Sequence, residues 1–208
     1  MVSSGYLFLI VAVALQRLLE MRISRQHEEA LKSQGATEHA PEQMPVMVAV
    51  HGGWLLACFI EGWLRGPHAT PRWLTLVALL VFCLGQALRW LAMSELGERW
   101  TVKIITLPGV SPVTTGIFRH LRHPNYVGVI LEIAALPLVV GSWLTALVFS
   151  VANGLLLAWR IGAEEHALED RSDYAELFRN RPRLLPRLAA PLFGARKSSG
   201  QQAERRHD

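Results

Sequence analysis

Residues 122–168 read RHPNYVGVILEIAALPLVVGSWLTALVFSVANGLLLAWRIGAEEHAL. Between Tyr126 and Trp159 the run is almost wholly apolar and too long for one membrane helix, which needs about 20 residues to cross a hydrocarbon core of roughly 30 Å. The segment PLVVGSW divides it, because Pro137 and Gly141 favour a bend. The run is therefore expected to form a tight helical hairpin. A hairpin returns the chain to the side it left, so residues about 35 positions apart in sequence become neighbours. Arg122, His123, Asn125 and Tyr126, ahead of the hairpin, should thus meet Arg160, Glu164 and Glu165 behind it.

Outside the hairpin the pattern repeats. The chain has 208 residues, 51% of them apolar, and these cluster into segments of membrane-spanning length. Helices are expected over Ser4–Met21, Val46–Leu64 and Arg72–Met93, giving an all-α polytopic membrane protein of about five transmembrane helices. The first segment has no basic residue ahead of it and no small-residue cleavage site, so it reads as a retained helix. Basic residues concentrate after the first helix (Arg22, Arg25, Lys32), before the hairpin (Arg99, Lys103, Arg119, Arg122) and after it (Arg171, Arg179, Arg181, Arg183). By the positive-inside rule this places the N-terminus outside, and the polar motifs and C-terminus in the cytoplasm. The net charge of +4 is explained by that orientation and requires no nucleic acid. Residues 1–193 read as one domain, and the polar stretch 194–208 as a disordered tail.

Several residues inside the apolar segments call for a reading of their own. Cys58 and Cys83 lack metal-ligand or disulfide spacing and read as small buried side chains. Trp54, Trp63, Trp73, Trp143 and Trp159 fall near helix ends, as interfacial aromatic belts do. His51 and Glu61 read as helix-packing residues, and Gly52 and Gly53 as sites of close helix contact. Glu132 lies two turns into an apolar helix, where a carboxylate needs a partner or a cavity; Arg89 could be that partner, in a substrate pocket or in a structural pair. Behind the hairpin, residues 161–180 carry Ala167, Leu168, Tyr174, Leu177 and Phe178 at helical intervals among charges. This is expected to be an amphipathic helix capping the cytoplasmic face.

The cluster flanking the hairpin suits a small zwitterion with a ribose. Carboxylates take ammonium or hydroxyl groups, while arginine and histidine take a carboxylate. Compact metal-ligand spacing, a GxGxxG loop and a GxSxG elbow are all missing from the sequence, so no metal is expected. The paired motifs RHPNYVG and RIGAEEHAL, with YAELFRNRPRLLP after them and LGQALRWLAMSELGERWT before, resemble the isoprenylcysteine carboxyl methyltransferase family. The front stretch RLLEMRISRQHEEALKSQGATEHAPEQMPVMVAVHGGW is similar to a bacterial branch of that group whose members methylate alkylpyrones and alkylresorcinols, although that branch would have asparagine where His27 stands. The resemblance implies an integral membrane O-methyltransferase of a bacterial inner membrane, using S-adenosylmethionine held by residues of about 94–187. It implies cofactor contacts from Arg122, His123, Asn125, Tyr126, Glu164 and Glu165, and catalytic parts for Arg160, Glu165 and His123. The acceptor would be a prenylated or other lipophilic molecule reaching Arg89 and Glu132 from the bilayer. Phospholipid N-methylation, a sterol-reductase-like activity and a non-catalytic scaffold or transporter component are the alternatives, and the oligomeric state is left open. A carboxylate acceptor arrives ionised, whereas a phenol or enol profits from a proton acceptor, for which His123 or a neighbouring glutamate is the candidate, and from a cation such as Arg160.

Overall fold

In the computed structural model, which describes residues 4–66 and 70–184, five long helices carry the chain. Helix α1 spans Ser4–Ser33, well beyond the expected apolar part, and stops before Gly35, whose φ of 90° an L side chain rarely adopts. A three-residue strand, β1 (Thr37–His39), precedes α2 (Gln43–Arg65). Pro45 does not break α2, because it lies in the first turn, where a missing N–H costs nothing. Helix α3 (Arg72–Leu96) follows, then strand β2 (Ile104–Thr106), α4 (Pro124–Leu138), α5 (Trp143–Glu169) and the short α6 (Tyr174–Phe178). Strands β1 and β2 pair antiparallel, tying the α1–α2 connection to the one after α3. Neither strand was expected.

The hairpin forms where PLVVGSW divides the run. Pro137 lies in the last turn of α4, which stops at Leu138, and Gly141, at φ 69°, makes the turn into α5. Glu61 caps α5 from across the bundle. Its carboxylate accepts the Thr145 N–H at 2.7 Å and the Thr145 hydroxyl at 2.6 Å, satisfying donors that the start of α5 leaves open. The amphipathic helix expected over 161–180 does not exist as one unit. Helix α5 continues unbroken through Arg160 to Glu169, and only Tyr174–Phe178 forms a further turn. Of the apolar positions of the tail, Ala167, Tyr174 and Phe178 are buried in that arrangement, Leu168 is half-buried and Leu177 is exposed. The tail 194–208 lies outside the described residues.

Among the described residues, three helical stretches are long and apolar enough to cross a membrane: Gln43–Arg65, Arg72–Arg99 and Trp143–Glu169. Helix α4 is apolar but shorter, and α1 carries charged residues at its middle. Leucine, valine and tryptophan cover the outside of the bundle, as in a protein solvated by lipid. The chain is an integral membrane protein. Trp63, Trp73, Trp143 and Trp159 are exposed, in keeping with interfacial belts, but Trp54 is fully buried and donates its indole N–H to the Ile133 carbonyl. Cys58 is buried, whereas Cys83 is exposed on the apolar surface.

Helices α3 and α4 approach most closely, and two glycines make this possible. A Cβ on Gly85 would meet the Gly128 carbonyl oxygen at 2.8 Å, and one on Gly128 would meet the Gly85 oxygen at 2.6 Å and Arg89 Cγ at 2.5 Å. Four residues on from each glycine stand Arg89 and Glu132, which form an ion pair at 3.2 Å. Gly128→Ala is accordingly expected to destabilise the bundle by about 1–3 kcal/mol through overpacking, read as a lowered melting temperature in detergent. Gly154→Ala is the control, since a Cβ there meets nothing within 4 Å; equal melting of the two variants would show that the glycine contact is dispensable.

Candidate active site

The residues on either side of the hairpin do converge. Arg160, on α5, donates from Nε to the Tyr126 hydroxyl at 3.0 Å, and that hydroxyl donates in turn to Glu164. His123, the residue before α4, stacks on Tyr126 with ring centroids 5.3 Å apart. Its Nε2 lies 3.1 Å from Glu165, which fixes a hydrogen on that nitrogen, because an ionised carboxylate only accepts. The two adjacent glutamates therefore have different tasks. Glu164 lines a cavity, while Glu165 is 4% exposed and turned into the protein.

Glu165 is the hub of a cationic clamp. Arg183 reaches it with two donors, at 2.5 and 3.1 Å, and Arg122 approaches at 3.5 Å. The Arg183 guanidinium is held above its ordinary range by that carboxylate. Backbone bonds finish the docking: Arg122 N–H to the Pro182 carbonyl at 3.0 Å and His123 N–H to the Arg183 carbonyl at 3.1 Å. Arg122 Nε also donates to the Arg181 carbonyl at 2.7 Å. Burial, with the Glu165 charge nearby, pushes the Tyr174 phenol upward, so it stays a neutral part of the cap.

The connection after α3 closes the site over α1. Val102 donates its N–H to Ser24 Oγ at 2.8 Å, its carbonyl accepts from Arg160, and His27 Nδ1 bonds the Trp100 carbonyl at 2.8 Å. Lys103 bridges Glu28 and Glu38 at 3.5 and 3.0 Å. Lys32, bonded to Glu38 at 2.6 Å, and Lys103 hold the Glu38 carboxyl below its usual range.

Beneath this cap lies a cavity of about 490 Å³. Its polar wall includes Arg122, His123, Asn125, Tyr126, Arg160 and Glu164. Asn125 is notable because its buried Oδ1 accepts no hydrogen bond from the described protein. The same cavity extends to Leu18, Met21, Val48, Leu55 and Leu156, an apolar chamber, and to Arg17, Glu20, His51 and Arg89. Arg17 and Arg89 both pair with Glu20, at 2.8 and 2.5 Å, and both pair with Glu132. Of the two residues expected at a substrate pocket, Arg89 lines the cavity, whereas Glu132 is fully buried behind it. Sequence reasoning missed Arg17, Glu20 and the clamp residue Arg183. Arg17 and Glu20, three apart on an apolar helix, carried the same signal as Glu132. Among the described residues no group of histidine, cysteine and acidic side chains is disposed to hold a metal ion.

Comparison with known proteins gives three kinds of likeness. The profile of the isoprenylcysteine carboxyl methyltransferase (ICMT) family matches residues 76–170. An uncharacterized protein of Bacillus subtilis, YpbQ, is 36% identical over 79% of this chain and 96% of its own length. The Schizosaccharomyces pombe protein-S-isoprenylcysteine O-methyltransferase is 32% identical over 42% of this chain and 38% of its own. Among solved structures, the eukaryotic intramembrane Ras methyltransferase ICMT superposes with a TM-score of 0.52 at 22% identity, over 72% of this chain. That likeness is one of fold, and the chain spans 54% of the solved protein's length.

Proposed function

Because the chain belongs to the isoprenylcysteine carboxyl methyltransferase family, we propose that it is an O-methyltransferase that uses S-adenosylmethionine to methylate a lipophilic acceptor at the cytoplasmic side of a bacterial inner membrane. The observation that carries this reading is one continuous cavity whose wall is polar and charged at the hairpin and apolar between α1, α2 and α5. A water-soluble cofactor suits the first part, and a lipid tail the second. An N-terminus outside and a cytoplasmic C-terminus follow from the distribution of arginine and lysine.

The residues present fit the cofactor. Glu164 offers a partly exposed carboxylate to an ammonium or ribose hydroxyl, Arg122 a cation to a carboxylate, and the unpartnered Oδ1 of Asn125 an acceptor for an N–H donor. S-adenosylmethionine supplies a methyl group already activated as a sulfonium. The protein's tasks are to hold the acceptor in line and to exclude water. Arg160 and Tyr126 keep Glu164 in place, and Glu165 fixes the ring of His123. The clamp at Arg183 and the connection over α1 close the polar part against solvent.

For the acceptor, an alkylpyrone or alkylresorcinol hydroxyl or an isoprenylcysteine carboxylate matches the chamber's apolar lining. The test is calorimetric titration of the detergent-purified protein with S-adenosylhomocysteine, the expected product. Saturable binding by the wild type, weakened at least about 30-fold in Glu164→Ala by loss of a charge-assisted hydrogen bond, is expected. A folded wild type that binds none of it refutes the reading.

A further inference from the structure

We propose that Gly52 determines which acceptor tails the enzyme admits: its missing side chain keeps open a slit between α1 and α2, through which the tail runs from the cavity into the bilayer. This rests on the methyltransferase reading above. The two helices touch at the start of α1 and the end of α2, where a Cβ on Gly62 would lie 2.9 Å from the Tyr6 ring. Further along they part. The cavity then lies between Ala14, Leu18 and Met21 on α1 and Val48, Gly52 and Leu55 on α2.

Helical geometry places Gly52 at the rim of that space. Successive residues turn by about 100°, so Gly52 stands about 40° round α2 from Leu56, which is exposed and lies outside the cavity wall. Leu18 has the matching place on α1, about 60° from the exposed Leu15. Leu18 and Val48 line the cavity and are nonetheless 58% and 48% exposed, so the wall is open along this edge. The other side of α2 is closed, since a Cβ on Gly53 would meet the Phe149 ring of α5 at 3.4 Å.

A glycine inside a helix weakens it relative to alanine. At Gly62, Gly85 and Gly128 close packing compensates, because a Cβ would come within 3 Å of a neighbour. Gly52 packs on nothing: a Cβ there would meet no atom within 4 Å, so the close helix contact expected from the sequence is not its role. Among the described helical glycines with such free space, Gly52 alone lines the cavity. The space it leaves is walled by Leu18, Val48 and Leu55, which suits hydrocarbon, and it joins the polar wall at Arg160 and Glu164. An acceptor whose tail lies over Gly52 keeps its head at that polar wall. Past the slit, each further methylene exchanges one lipid contact for another, so the protein selects the width of the tail at Gly52 and not its full length. Gly52 also lies outside residues 76–170, the part of the chain that the family profile covers.

The test uses the full chain in lipid nanodiscs, with Gly52→Leu and Gly52→Phe as variants and Gly154→Phe as the control, since Gly154 has equal free space and lies outside the cavity wall. The acceptors are long and short forms of one head: 5-pentadecylresorcinol with 5-methylresorcinol, and N-acetyl-S-farnesylcysteine with its S-dimethylallyl counterpart. All variants should melt no lower than wild type and bind S-adenosylhomocysteine within about threefold of it. A buried methylene is worth about fourfold in binding, so displacing about three of them should lower kcat/KM of Gly52→Phe for the long acceptor about 30-fold or more. Gly52→Leu should lose less, and Leu18→Ala should return at least about threefold to it by widening the other rim. The short acceptor, and Gly154→Phe with either form, should stay within about threefold of wild type. Without turnover, a pentadecylresorcinol with a diazirine in mid-tail should photolabel Leu18 or Val48, and excess unlabelled acceptor should suppress that label. Gly52→Phe within threefold of wild type on the long acceptor, or an equal loss on long and short forms, overturns the assignment of Gly52. So does acceptor-suppressed labelling confined to other helices, or labelling that the acceptor never suppresses; both leave the methyltransferase reading standing. Where the wild type methylates neither long acceptor, the photolabel alone decides by the same outcomes. A wild type that binds no S-adenosylhomocysteine refutes both proposals.

Discussion

Glu165→Ala is expected to abolish S-adenosylhomocysteine binding, at least about 100-fold, and to release segment 181–184 from the site. The carboxylate is buried and receives His123, Arg122 and Arg183. Without it, His123 Nε2–H and the Arg122 guanidinium face each other with no acceptor between them. Breaking a buried, hydrogen-bonded charge pair by removing one partner costs about 3–5 kcal/mol, and each 1.4 kcal/mol is about tenfold in affinity when binding must restore the arrangement. The effect differs in kind from that of Glu164→Ala. Glu164 lines the cavity, so its loss removes a ligand contact and leaves the segment 181–184 docked. Limited trypsinolysis separates the two: cleavage after Arg183 should accelerate in Glu165→Ala and stay at the wild-type rate in Glu164→Ala. Wild-type affinity in Glu165→Ala would remove the clamp from the functional site.

Glu132→Ala should be the most destabilising single change in the bundle interior, by about 3–5 kcal/mol. Arg17, Glu20, Arg89 and Glu132 form a closed set of two cations and two anions contributed by α1, α3 and α4. Its neutrality is what an apolar bundle tolerates. Losing Glu132, which is 0% exposed, leaves one guanidinium charge uncompensated. The double variant Arg89→Met, Glu132→Leu removes one charge of each sign and should melt closer to wild type than Glu132→Ala. Because Arg89 reaches the cavity, that double variant should keep S-adenosylhomocysteine affinity while its acceptor KM rises. Near-identical melting of Glu132→Ala and wild type would mean that the cluster contributes nothing to stability.

The hairpin and its juxtaposed motifs were legible in the sequence because their signal is local: an apolar run of fixed length, one proline, one glycine and charges at both ends. That is why His123, Tyr126, Arg160 and Glu164 could be named together. Other features depend on pairings that one sequence does not display. Strands β1 and β2 are three residues each, too short for alternation to register, and Thr37 meets Thr106 across most of two helices. Tail residues 161–180 showed a real amphipathic pattern, yet periodicity is blind to whether such a face continues an existing helix, as α5 does. Trp54 sits at a sequence position suited to an interfacial belt and is instead hydrogen-bonded in the core, a choice made by Ile133 on α4. Arg183 became visible only when its segment was seen to lie against Arg122 and His123.

The cavity wall is divided along the chain. Leu18, Met21, Val48 and Leu55 come from α1 and α2, while Asn125, Tyr126, Arg160 and Glu164 come from α4 and α5. Under the proposed function, selection for a new lipid acceptor and selection for keeping the cofactor act on separate stretches of the gene. Recombination near codon 66, in the link between α2 and α3, would exchange Leu18, Met21, Val48 and Leu55 while leaving Asn125, Tyr126, Arg160 and Glu164 in place, and would have to preserve the bonds of Ser24 and His27 to the connection after α3. A lineage can in this way diversify its substrates while the methyl-donor machinery stays unaltered, provided that Arg17 and Glu20 travel with partners able to balance Arg89 and Glu132.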